Sequence, residues 1–405
     1  MTATLRVSLA PALKGASLPA QLSALDPVGP LVCLGAAPAI DGLALPVQPD
    51  ASSLFGPRGA CLQRIDGPLW VCDSGHHRLL GWAQLPLEDG DAADWLIGQP
   101  DFFHEGRNAK GRTTAQTFNV PTGITCCEGG LAVADAWNHR ILIWQRAPRA
   151  SHVPADIVLG QANFESNEAN RGAVDPSGET LFWPYGVHWD GARLWVCDSG
   201  NRRVLMWRGL PRKNGQAADL VLGQAHFALR DENGGGEPCA SSMRWPHAIA
   251  IWSNRLCVAD AGNNRVMVWE GIPEQNNRPC DHLLGQSDCH KVDHNQSLYW
   301  PTSATLNMPY GIASADDWLL VADTASSRVI AWHAEDCESG APARALTGQS
   351  DFHAKGDNRW RQPVRDSLCW PYGVMHCGGH VVVADSGNNR VLIWKLSSDL
   401  TGRAS

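Results

Sequence analysis

LWVCDSGHHRLLGW at residues 69–82 contains the pattern that decides the fold: an apolar run ending in Asp, a short polar turn, Arg, a second apolar run and Trp. It returns as LAVADAWNHRILIW at 131–144, LWVCDSGNRRVLMW at 194–207, LCVADAGNNRVMVW at 256–269, LLVADTASSRVIAW at 319–332 and VVVADSGNNRVLIW at 381–394. The aspartates of the six copies, Asp73, Asp135, Asp198, Asp260, Asp323 and Asp385, are spaced by 62 or 63 residues, so almost nothing is inserted between copies. A fixed period of that kind means stacked copies of one supersecondary unit, and it overrides any count of domains taken from length alone.

Two further markers keep the same period. Gly-Gln falls at Gly98, Gly160, Gly223, Gly285 and Gly348, 25 residues after each preceding aspartate. Pro followed by a variable and a small residue opens PRGA at Pro57, PTGI at Pro121, PYGV at Pro184, PHAI at Pro246, PYGI at Pro309 and PYGV at Pro371. Each unit therefore offers four short strands: one after Pro, one ending in Asp, one from Arg to Trp and one ending in Gly-Gln. Pro suits the first position of a strand, where a missing ladder donor is tolerated. Helical periodicity is absent. Six units of four antiparallel strands make an all-β, six-bladed β-propeller.

Twenty-five residues beyond Asp385 lie past Ser405, so the sixth unit lacks its outer strand. Leu31-Val32-Cys33-Leu34-Gly35 aligns with the Gly-Gln strand one period before Gly98. The expectation is a ring closed by residues 31–35 pairing with Val391–Trp394, which removes two open sheet edges. The propeller then spans 31–395, with an N-terminal extension at 1–30 and a C-terminal tail at 396–405.

The 405 residues are 44% hydrophobic and 18% charged, with formal net charge -8. That balance supplies a core and opposes generic binding to DNA or anionic lipid. No stretch reaches the roughly 18 uninterrupted apolar residues of a membrane span. The N-terminus, broken by Arg6, Pro11, Lys14 and Pro19, lacks the layout of an export signal. Thirteen scattered cysteines without such a signal point to a reducing cytoplasm and free thiols.

The Asp-to-Arg segment resembles the NHL repeat family, most literally at Asn138-His139-Arg140-Ile141-Leu142, and the resemblance covers residues 31 to about 395. It implies a six-bladed NHL propeller. Asp and Arg flanking a four-residue turn read as a cross-hairpin ion pair worth about 0.2–1 kcal/mol, a structural role repeated six times. Trp82, Trp144, Trp207, Trp269, Trp332 and Trp394 read as packing between blades, and the Gly-Gln glutamines as partners of backbone groups. The Gly-Gln segments are not phosphate loops, since no Walker lysine or helix follows. Copy five, with Thr324-Ala325-Ser326-Ser327, predicts a different turn type, and copy two carries Trp137 where most copies have Gly.

Antiparallel order places the long loops between Gly-Gln and Pro on the same face as the Asp-to-Arg turns, and long ordered loops tend to carry function. At the channel mouth on that face stand the residues after each Pro: Arg58, Thr122, Tyr185, His247, Tyr310 and Tyr372. Three of the four tyrosines in the sequence occupy this position. Trp183, Trp245 and Trp370, just before Pro, and Trp137 extend an aromatic rim whose polar tips suit recognition of a partner or ligand.

The same positions test an enzymatic reading. The peptidyl-hydroxyglycine lyases are similar propellers that hold zinc through histidines after this Pro in alternate blades. Here only His247 matches, short of the three protein ligands of a catalytic zinc. Lactonase-like propellers use carboxylates near the channel, and none occupies the six positions. His188 and His376 read as channel-wall histidines. The cluster Cys280, Asp281, His282, Asp288, Cys289, His290, Asp293 and His294 has metal-ligand chemistry without the spacing of a zinc module. RNA binding, known in the family on this face, has Lys355, Arg359, Arg361, Arg365, Arg107, Lys110 and Arg112 in its favour and the acidic loops two and three against it.

The reading that results is a cytoplasmic, bacterial, non-catalytic scaffold that docks a protein on its long-loop face, with no cofactor and no metal ligand set. The family resemblance adds assembly of redox enzymes such as hydrogenases as a partner class. A small ligand or lyase- or hydrolase-like chemistry at the channel mouth is the alternative, and RNA a further one.

Overall fold

The computed structural model describes residues 21–35 and 48–402. Six four-stranded antiparallel sheets are arranged as blades about one axis. In blade three, for example, the inner strand is Pro184–Trp189, followed by Arg193–Asp198, Arg203–Arg208 and the outer strand Leu220–Leu222. The strand boundaries follow the sequence markers: the inner strand starts at or just after Pro, the second ends at Asp and the third begins at Arg in every blade.

Closure takes the expected form. Val32–Gly35 runs antiparallel to the third strand of blade six, with Val32 opposite Ile393, Cys33 opposite Leu392, Leu34 opposite Val391 and Gly35 opposite Arg390. The strand-end tryptophans confirm the register independently. Nε1 of Trp82, Trp144, Trp207, Trp269 and Trp332 donates to a carbonyl nine residues later, and Trp394, near the end of the sequence, uses Asp26 instead. The flanks are engaged as well. Leu22–Ser23 adds a parallel fifth strand to blade five against Ala345–Leu346. Ser398–Thr401 forms one helical turn whose Leu400 carbonyl accepts from Trp318 Nε1.

The core lies between the blades as apolar layers, each contributed by neighbouring sheets. Trp195, Val204 and Met206 of blade three, for example, pack with Ile249, Val258 and Trp269 of blade four. All six strand-end tryptophans are buried there, as expected.

Two glycine positions of the repeat are set by backbone conformation and by contact. The Gly of Gly-Gln has φ between +85° and +114° in its five copies, and Gly35 has +104°, a region that L side chains avoid. The Gly after the rim residue lets neighbouring inner strands meet: a Cβ on Gly186 would lie 2.3 Å from the His247 carbonyl oxygen, and one on Gly123 would lie 2.6 Å from that of Tyr185. This is why the marker reads Pro-x-Gly in five of the six blades, blade four carrying Ala248 instead.

The Asp–Arg pairs go beyond the cross-hairpin ion pair expected of them. Both side chains are wholly buried or nearly so in all six copies, with Nε to Oδ2 distances of 2.7–3.0 Å. The long loop folds back over the turn. Arg203 Nη2 donates to the carbonyls of Ser177 and Thr180, while Asp198 Oδ1 accepts from the Phe182 amide. Burial pushes the carboxyls of Asp135, Asp198, Asp323 and Asp385 up, against the downward pull of the paired guanidinium. Each pair rivets one loop to its blade. The glutamines add a second fastening: Gln99 Nε2 donates to the carbonyls of His76, His77 and Gly106.

A third fastening is an amide pair between the loop and the turn: Asn108 with Asn138, Asn170 with Asn201, Asn233 with Asn263, Asn358 with Asn388. Copy five departs here rather than in its turn type. Thr324–Ser326 keeps the 3₁₀ turn, and Ser327 is left-handed at φ 51°, as in the other copies. The cost is elsewhere: among the described residues Nδ2 of buried Asn295 has no partner.

The cysteines are free among the described residues except at one place. Cys61 and Cys126, on the inner strands of blades one and two, form a disulfide, because equivalent strands of adjacent blades face each other across the wedge.

Candidate functional site: an aromatic bowl over a plugged channel

A register shift follows Pro in blades two to six, so one residue bulges out of the ladder at the top of each of these inner strands. Bulges re-aim side chains, and here they turn the variable residue toward the axis. The result is a plug rather than an open mouth. His247 stacks on Tyr185 at 4.7 Å and on Tyr310 at 4.3 Å, and Tyr310 packs against Tyr372 at 4.6 Å. The Arg58 guanidinium lies 4.8 Å from the Tyr372 ring centroid and 5.9 Å from that of Tyr185.

Burial sets the ionisation of this cluster. Desolvation lowers His247 to about 4, so its imidazole is neutral at pH 7. Its Nδ1 is 3.0 Å from the Trp245 carbonyl, which only accepts, so the proton sits on Nδ1. Tyr310 is pushed up to about 12 by the same burial. Thr122 is the exception among the six: its hydroxyl donates to the Tyr185 carbonyl at 2.8 Å, and the side chain is 2% exposed. It fastens blade two to blade three and offers nothing to a ligand. The zinc set of the lyase resemblance does not fit, because the single imidazole is stacked between phenols and its Nδ1 is committed.

Above the plug opens a bowl of about 850 Å³. Its floor is Arg58, Tyr185, His247, Tyr310 and Tyr372, and its wall carries Phe55, Trp137, Trp183, Trp245 and Trp370. The indoles of Trp137, Trp183, Trp245 and Trp370 are 50%, 42%, 42% and 41% exposed, a contiguous apolar lining of the kind that marks recognition sites. Below the plug the channel holds a smaller cavity of about 310 Å³ whose lining includes His188 and His376. Burial lowers His188 to about 4. These two do not meet the bowl.

The wall is set by backbone geometry. Trp183 and Trp370 have φ of 48° and 49°, strained for bulky residues, and Val120, Met308 and Gly56 share the conformation. A residue of the preceding blade's turn compensates by accepting the amide hydrogen through its side chain: His139 for Trp183 at 3.1 Å, Ser327 for Trp370 at 3.2 Å, Asn389 for Gly56 at 2.8 Å. Arg202 holds this position before blade four and has no acceptor to offer. The Trp245 amide turns to Asp260 Oδ1 instead, and Arg202 is left to line the bowl.

The sequence reading missed Arg202, Phe55 and Phe182 of this lining. Arg202 was visible as the one turn residue of its kind among His77, His139, Asn264, Ser327 and Asn389. Trp137 fits because its neighbour is Asn119; elsewhere a Cβ on Gly75 or Gly200 would strike Phe55 or Phe182 at 2.4–2.6 Å.

The other candidate groups disperse. Among the described residues no three metal-ligating side chains of the 280–294 segment converge. Cys280 is in the core, Asp281 accepts from the Glu270 amide, and His290 faces the Pro238 carbonyl. Of the basic loop residues, Arg359 pairs with Asp366 at 2.7 Å, Arg365 pairs with Asp89, and Lys355 sits 3.9 Å from the Tyr299 ring centroid. Among the described residues no helix is long and apolar enough to cross a membrane.

Fold and site together define a six-bladed β-propeller with a closed axis and one aromatic face. Residues 243–269, within the fourth repeat, match the family model for the NHL repeat. The human NHL repeat-containing protein 2 is 23% identical over 363 residues, covering 69% of this chain and 46% of that protein. The chain thus spans about half the length of that curated relative. Solved structures with a similar shape include Kuenenia stuttgartiensis hydrazine synthase, at 11% identity and TM-score 0.45 over 88% of this chain and 99% of that one. Virginiamycin B lyase from Staphylococcus aureus follows at 12% identity and TM-score 0.41, covering 84% and 95%.

Proposed function

We propose that the protein is a non-catalytic docking platform that seats a segment of another protein in the bowl. The carrying observation is the concave lining itself: four indoles and Phe55, each two-fifths to one-half exposed, around one opening. Buried aromatic anchors dominate the energetics of protein recognition. Rigidity supports the same reading. The rivets, glutamines and amide pairs hold the loops in place before any partner arrives, so little backbone entropy is lost on binding.

The test is the triple variant Trp183→Ala, Trp245→Ala, Trp370→Ala, with affinity for a purified partner measured by calorimetry after the partner has been identified from the source cells. Affinity falls at least about tenfold, on the scale of about 1.4 kcal/mol or more that such anchors contribute, while the melting temperature changes little because the indoles are on the surface. A triple variant that binds like the parent would remove this reading. So would native mass spectrometry showing a small molecule retained in the bowl of the parent and lost from the variant.

A further inference from the structure

Resting on that reading, we infer that the occupant of the bowl carries a carboxylate, received by Arg58 and Arg202 while its apolar body lies against the indoles.

The charge count of the lining leads there. Among the residues lining the bowl, Arg58 and Arg202 are cations and none is Asp or Glu. Arginine keeps its charge under all ordinary conditions. Elsewhere the protein pairs many of its guanidinium groups with carboxylates, six in the buried rivets and others at Glu232, Glu179 or Glu270. Among the described residues these two have no such partner. Arg58 rests on the faces of Tyr372 and Tyr185. Arg202 Nη1 donates to the Gly200 carbonyl at 2.7 Å and to that of Arg230 at 3.4 Å, and its buried Nε has no partner.

Position adds to charge. Arg58 lines both the bowl and the cavity beneath it, so it stands in the plug itself and meets whatever enters along the axis. A guanidinium in an apolar, partly desolvated site attracts an anion more strongly than one in water, and its fork matches a carboxylate. The indole walls carry no lysine, which favours an apolar residue bearing one carboxylate over a polyanion. A free C-terminus at an apolar residue meets that description, and so does an acidic side chain beside an aromatic one.

The experiment uses three probes on the full-length protein, read by quenching of the bowl tryptophans: N-acetyl-Gly-Phe as the free acid, N-acetyl-Gly-Phe-amide and N-acetyl-Glu-Phe-amide. The expected result is tighter binding of at least one carboxylate probe than of the neutral amide, by about tenfold or more at low salt, since hydrogen bonds to a charged partner are stronger than those between neutral groups and salt screens them. The winning probe tells terminal from side-chain carboxylate. Arg58→Gln and, separately, Arg202→Gln then bring that probe toward the amide's affinity. Equal binding of all three probes would overturn the carboxylate and leave the docking site standing. Absence of any quenching up to about 10 mM, beyond useful affinity, would overturn both.

Discussion

Two sixfold rings run round this propeller, one of residue pairs and one of single residues, and they vary in opposite ways. The outer ring, the Asp–Arg rivets, is identical in every blade and buried in every blade. The inner ring holds the same place in each repeat yet reads Arg58, Thr122, Tyr185, His247, Tyr310 and Tyr372. Groups that only hold a repeat together can be the same six times. A site that must recognise one asymmetric object has to break the symmetry, and the inner ring does so.

The comparison is broken most severely at the outer ring. Arg203→Met leaves Asp198 as a buried charge without its cation and strips the loop carbonyls of Ser177 and Thr180 of their donor. The expected loss is about 3–5 kcal/mol, read as a lower denaturant midpoint, with faster proteolysis between residues 175 and 182. Tyr185→Phe in the inner ring keeps the stack and is expected to cost under about 1 kcal/mol. Equal losses would erase the distinction between the rings.

A smaller effect comes from pH at the inner ring. His247 titrates near 4 when folded and near its ordinary 6.5 when unfolded. Between those values the unfolded state binds more protons, so the contribution of neutral His247 is whole above about pH 6.5 and is lost as pH falls toward 4. At 1.36 kcal/mol per pH unit it amounts to roughly 3 kcal/mol. His247→Phe is expected to flatten that part of the stability–pH curve measured by denaturant melts from pH 4 to 8; an unchanged slope would mean the imidazole is not the titrating group.

The smallest change sharpens the outer region. Ser326→Asn supplies the amide that Asn295 lacks in copy five, and the expected gain is about 1 kcal/mol in the same melts. A loss would show that copy five packs its turn differently from its neighbours.

How far the sequence reached follows the same division. The Asp, Arg, Trp and Gly-Gln markers placed the strand ends and the closing strand at 31–35, because strand periodicity and a fixed repeat are local signals. The strength of the rivets was not legible: Arg203 bonds carbonyls 23 and 26 residues upstream, and spacing does not reveal that a loop folds back. The same limit hid the Cys61–Cys126 bridge and the turn of Thr122 toward the Tyr185 carbonyl, both contacts between blades. Arg202 was legible as an outlier among equivalent residues, at a turn position remote in sequence from the residues after Pro.

Site-specific photo-crosslinking compares the two faces of the wheel directly. With a benzophenone group placed at Trp245 in the bowl or at Ala192, an exposed position in the turn that joins the inner and second strands of blade three, the identified partner is expected to form an adduct only from position 245. Adducts from 192 alone, or equally from both positions, would contradict the assignment of recognition to the asymmetric inner ring and its aromatic bowl.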